Sequence, residues 1–127
     1  MEEMDPRTVV EAYLHAFDAR DLPGCLGLYD DDASLTFGPG LFRGKQAIEQ
    51  WHKDRFAVDM RILQLEDIEV HADTVIVRGV VTSKKLKLFK AGSLGGTGTF
   101  LIQNGKIKEL RFEGRIGAST QVEWRRM

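Results

Sequence analysis

Apolar residues recur at helical spacing in the first part of the chain and at alternate positions in the rest, so the pattern divides a helical half from a sheet half. Val9, Val10, Tyr13, Leu14 and Phe17 make one apolar face of a helix running from Pro6 to Ala19. Asp5-Pro6 opens it, because the Asp carboxylate accepts from first-turn amides and Pro is tolerated at the first helical position. Asp21-Leu22-Pro23 starts a shorter helix through Cys25, Leu26 and Leu28, and the run Asp30, Asp31, Asp32 then predicts a solvated turn. A third helix is expected from Lys45 to Phe56, with Ile48, Trp51, His52, Arg55 and Phe56 on one side.

Ala33 to Phe37 reads as a short strand before a Gly38-Pro39-Gly40 turn. After Val58 the period changes to two. Strands are expected over Met60 to Val70, Thr74 to Phe89, Leu94 to Gln103 and Lys106 to Glu113, with Asn104-Gly105 as a two-residue hairpin turn. Three helices before a long antiparallel meander make an α+β fold, in which a strongly curved sheet wraps the helices into a cone. No repeat or linker interrupts the pattern, so residues 1–127 form one domain with a core over about 5–115 and an irregular tail, 116–127.

Composition narrows the function classes. At 43% hydrophobic and 29% charged residues in 127, the chain can bury one core. Eighteen basic and nineteen acidic residues are interspersed, which argues against a nucleic-acid partner. Lys84, Lys85, Lys87 and Lys90 alternate with Leu86, Leu88 and Phe89, and read as the solvated face of a strand in preference to an anion-binding patch. No run is long enough to span a membrane, and the acidic start Met1-Glu2-Glu3-Met4-Asp5 lacks a signal peptide's positive charge, so no membrane partner and a cytoplasmic location are expected. Cys25, the single cysteine, reads as a buried inert thiol. No His, Asp or Glu cluster has metal-ligand spacing, so neither metal nor cofactor is expected. Gly92-Ser93-Leu94-Gly95-Gly96-Thr97-Gly98 lacks the ending of a phosphate loop; its glycines would bend a strand or leave room at a pocket mouth.

Several stretches in order resemble the nuclear transport factor 2-like superfamily, especially its branch of SnoaL-type polyketide cyclases and ketosteroid isomerases. They are Val9-Val10-Glu11-Ala12-Tyr13, Asp21-Leu22, Leu28 to Ala33, Phe42-Arg43-Gly44-Lys45-Gln46-Ala47-Ile48, and Asn104-Gly105-Lys106-Ile107. The resemblance implies a conical pocket between the helices and the concave sheet face, with dimerisation through the convex face. It also implies catalytic carboxylates that this chain does not supply. The position of the isomerase base holds Phe37 and that of its second acid Gly98, and the inward series of the last strand, where the cyclases place an acid, reads Leu110, Phe112 and Gly114. Whether the protein is an enzyme is therefore left open. Glu109, Arg111 and Glu113 would face a dimer partner, although a one-residue slip would turn Glu113 into the pocket.

The remaining candidates for chemistry are Tyr13, His52 and Arg78. By alignment the inward set of its strand is Ile76, Arg78, Val80 and Thr82, and a buried Arg78 would require a carboxylate or an anionic ligand; an outward Arg78 is the plain alternative. His52 could serve as acid, base or ligand donor, or be a satisfied structural residue beside Trp51. Phe17, Phe37, Trp51, Phe56, Phe100 and Phe112 would line the pocket or fill the core. The leading expectation is a cone that binds a small, mostly apolar molecule with one carbonyl or anionic group, with or without isomerase, cyclase or dehydratase chemistry. The alternative is a noncatalytic homodimeric scaffold.

Overall fold

The computed structural model describes residues 4–88 and 92–115. Three helices come first in helical order: α1, Pro6–Asp18; α2, Leu22–Leu26; and α3, Gly44–Ala57. The Asp5 carboxylate caps α1 by accepting from the Thr8 amide at 2.9 Å, and Asp21 caps α2 by accepting from Gly24. Six strands form one sheet: β1, Tyr29–Phe37; β2, Gly40–Arg43; β3, Arg61–His71; β4, Thr74–Thr82; β5, Leu94–Gln103; and β6, Lys106–Arg115. Their order is β2-β1-β6-β5-β4-β3.

The meander is antiparallel throughout, but β1 runs parallel to β6, which makes the sheet mixed. That pairing joins residues far apart in sequence, Leu35 with Leu110 and Phe37 with Phe112, so no local turn announces it. The Asn104-Gly105 turn has positive φ at both residues, 54° and 72°, as a type I′ hairpin requires.

Two expectations from the sequence are corrected. Asp30, Asp31 and Asp32 are part of β1, at a register irregularity where Asp32 pairs with Lys108 and Asp31 with Lys45. Strand β4 stops at Thr82, and Lys84–Leu88 form a short helix, α4. Its first amide donates to Val58 O at 2.8 Å, which fastens α4 to the end of α3. Phe89 of the expected strand, Lys90 of the lysine run, and the tail 116–127 lie outside the described residues.

The core lies between the helices and the concave face. Val9, Val10 and Tyr13 of α1, Ile48 and Trp51 of α3, and Leu35, Val75, Phe100, Ile107 and Leu110 of the sheet are almost fully buried there. Among the described residues, no helix is long and apolar enough to cross a membrane.

Candidate functional site

A cavity of about 260 Å³ opens within the cone, between α1, the end of β1, the end of α3, the start of α4 and strands β3 to β6. Its wall is mostly apolar: Leu14, Phe17, Phe37, Met60, Ile62, Val77, Val81, Leu94, Phe100 and Phe112. Glycines create the room. Gly96 pairs with Gly79 on one side and Gly114 on the other, giving a row of three glycines across adjacent strands, and Gly98 sits opposite Phe112. A side chain built on Gly96 would meet only Glu113 O at 3.7 Å, so the space in front of it is open. Gly79 has a different cause: a Cβ there would lie 2.7 Å from Gln64 O, where β3 bulges against β4.

Of the residues singled out in the sequence, Tyr13, Phe17, Phe37, Phe100 and Phe112 line the cavity. Trp51 stands behind them, stacked on Phe112 with centroids 5.5 Å apart and edge-on to Phe37 at 5.4 Å. Its indole Nε1 is buried with no hydrogen-bond partner among the described residues. Phe56 packs on Phe17 at 5.2 Å and carries the Arg20 guanidinium on its face, away from the cavity wall.

His52 is fully buried and also stands behind the wall. Its ring is fixed from both sides: Nδ1 lies 2.8 Å from Ile48 O, and Nε2 lies 2.7 Å from the Tyr13 hydroxyl. A carbonyl can only accept, so Nδ1 carries the proton and the Tyr13 hydroxyl donates to Nε2. Burial holds the His52 pKa below its ordinary value and pushes that of Tyr13 well up, so both groups are neutral. Tyr29 packs edge-on against both rings. Its hydroxyl is buried and pushed up in pKa by burial; the Tyr13 hydroxyl is near enough to affect that titration but does not complete a hydrogen bond with it.

Arg78 is on the convex face, contrary to the alignment-based expectation. The inward residues of β4 are Val75, Val77, Gly79 and Val81, one position out of phase with the expected set. Arg78 is opposite Asp67 in register and donates to Asp67 and Glu69, each at 2.8 Å, and the hydrogen bond to Glu69 is the main cause of its raised pKa. On β6, Leu110 is buried inward and Phe112 and Gly114 reach the cavity, while exposed Glu113 stands at its rim. Cys25 is buried, and burial pushes its thiol up to about 12.

Sequence reasoning missed Arg55. It lies on the same helical side as Trp51 and His52, and its side chain reaches the cavity with the guanidinium 5.0 Å from the Phe37 centroid. Its position on the apolar stripe was the available signal. Among the described residues no group of three or more His, Cys, Asp or Glu could hold a metal ion.

A family model described as a SnoaL-like domain matches residues 10–110. No curated protein matches the chain. A solved structure from Sinorhizobium meliloti, provisionally named a polyketide cyclase, is similar at 21% identity and a TM-score of 0.75, over 84% of this chain and 94% of that one. A nuclear transport factor 2-like protein of unknown function from Burkholderia pseudomallei has 17% identity and a TM-score of 0.75, over 94% and 96%. A Kribbella flavida protein, provisionally named a ketosteroid isomerase, has 11% identity and a TM-score of 0.74, over 86% and 76%. At these identities the likenesses establish the shared fold alone.

Proposed function

The chain belongs to the SnoaL-like domain family, and from that premise we propose that its cone binds a small, mostly apolar molecule carrying one carbonyl or anionic group. The supporting observation is the cavity of about 260 Å³ with its apolar wall. A scaffold with a filled core would leave no space of this size, because protein interiors close-pack with few voids larger than a water molecule. The volume is just below the roughly 300–1,000 Å³ of ordinary ligand pockets, which suits a ligand of one or two rings.

Binding without turnover is the better supported form of this reading. Phe37, Gly98, Leu110, Phe112 and Gly114 offer no carboxylate base toward the cavity. An isomerase, cyclase or dehydratase would then rely on the Tyr13–His52 pair or on Glu113, which stands exposed at the rim. In the first case the Tyr13 oxygen would take a proton from the ligand while passing its own to His52 Nε2. Burial weakens His52 as a base, and the Tyr13 proton is already committed to it. The alternating Glu109 and Arg111 on the other face of β6 support pairing of two copies through the convex face, and a solution mass of a single chain at micromolar concentration would sink that part.

Native mass spectrometry, compared with the denatured mass, checks whether a small molecule copurifies. Gly96→Leu tests the cavity directly, because it fills open space without a backbone clash. It should remain folded by circular dichroism and lose uptake of small aromatic probes. Equal uptake by this variant and the wild type would refute the cavity reading.

A further inference from the structure

We infer that Arg55 is the anion anchor of the cavity and that the ligand it selects is a compact apolar monocarboxylate. This rests on the binding reading above and deepens it by naming the ligand's charged group.

Arg55 belongs to the last turn of α3, half-buried, with its guanidinium carbon 5.0 Å from the Phe37 centroid and 5.7 Å from that of Trp51. Its Nε is enclosed and has no hydrogen-bond partner among the described residues. Other arginines in this protein are matched: Arg20, Arg61 and Arg78 each meet a carboxylate at 3.0 Å or less. Arg43 has no such partner among the described residues but is exposed, so water serves it. Arg55 alone among these combines an enclosed, unmatched donor with a position on the cavity wall.

A purely structural role explains only part of this. The carbonyl end of a helix favours a cation, and the two aromatic faces attract one. Both account for the charge. Neither satisfies the N–H edge, because stacking engages the flat face of the guanidinium and leaves its five donors pointing outward in the ring plane. A buried donor without an acceptor calls for one, and the cavity is where it can come from.

The acceptor's nature follows from the surroundings. A planar fork matches the two oxygens of a carboxylate. The other cation lining the cavity, Lys85, is exposed, and Glu113 at the rim is the single carboxylate there, so a dianion such as a phosphate would enter under-compensated. The apolar wall then takes the rest of the ligand.

Isothermal titration of the wild-type protein with trans-cinnamate and with neutral cinnamamide, which share a ring and length, tests this. Cinnamate should bind about tenfold more tightly, the ratio one charge-assisted hydrogen bond supplies. Arg55→Gln should bring the two within about twofold by weakening cinnamate far more than cinnamamide, whose carbonyl accepts only a neutral hydrogen bond, and Arg55→Lys, which keeps the charge but not the fork, should retain part of the preference. Arg78→Gln, on the opposite face, should leave the ratio unaltered. Equal binding of the two probes by the wild type, or a preference that survives Arg55→Gln or depends on Lys85 instead, overturns the assignment while leaving the cavity reading intact. Failure of both probes to bind the wild type overturns the cavity reading itself, and this inference with it.

Discussion

Replacing His52 by Gln should flatten the acid side of the stability curve. Burial holds the folded-state pKa of His52 below its ordinary value of 6.5, so the unfolded chain binds a proton at this position where the folded chain does not. More protons on the unfolded state mean that stability rises with pH through this window. The His52 contribution is fully present above an unfolded pKa of about 6.5 and is lost as pH falls toward the depressed folded value. If the folded imidazole stays neutral from about pH 7.5 to about pH 5.5, the unfolded state gains roughly a factor of ten in statistical weight, or about 1.4 kcal/mol. That is the ceiling for one group, and a smaller depression gives proportionately less.

Gln suits the comparison because its amide can keep a donor toward Ile48 O and an acceptor toward Tyr13 at every pH. His15 and His71 are exposed and present in both proteins, so the comparison isolates His52. Urea unfolding followed by far-ultraviolet circular dichroism at three pH values in this window would give the two slopes. Parallel curves for wild type and H52Q would refute the claim that His52 is folded in its neutral form.

Tyr13→Phe should cost about 1–3 kcal/mol in urea unfolding, since it leaves the buried His52 Nε2 without a donor, whereas Tyr29→Phe removes a hydroxyl that already lacks a hydrogen bond and should cost nothing or stabilise. Equal losses for the two would contradict the Tyr13–His52 hydrogen bond. Gly79→Ala should destabilise by about 1–3 kcal/mol, because its Cβ would be forced against Gln64 O, and an unchanged urea midpoint would show that β3 yields there. Arg78→Ala should barely move the thermal midpoint and should not alter ligand uptake, since its ion pairs are solvent-exposed and on the convex face; loss of uptake would return Arg78 to the site.

Local signals decided most of the elements. The Asp5-Pro6 cap and the i, i+3, i+4 spacing of Val9, Tyr13 and Phe17 specify α1, and Asn104-Gly105 specifies the β5–β6 hairpin, because each is a physical requirement met within a few residues. The same signals place His52 and Trp51 on the inner side of α3 and Phe112 on the inner side of β6. In β4 they could not choose. Val75, Ile76, Val77, Val80 and Val81 make both phases of the alternation apolar, and the outward position of Arg78 follows from Asp67 and Glu69 on the neighbouring strand. Likewise the lysines after Thr82 alternate well enough for a strand, and α4 forms where the chain docks on Val58.

The amino-acid sequence by itself determined the first three helices, the β5–β6 hairpin, the family and the absence of the familiar carboxylates at their expected positions, all of which depend on residue type and short spacing. Only the tertiary structure decided that β1 lies parallel to β6, that three glycines from separate strands align beside the cavity, that the Tyr13 hydroxyl donates a hydrogen bond to His52, and that Arg55 reaches the cavity wall with an enclosed donor unmatched among the described residues. Each of these joins residues that chain order keeps far apart, or depends on which neighbour is missing, and neither condition leaves a mark on local periodicity.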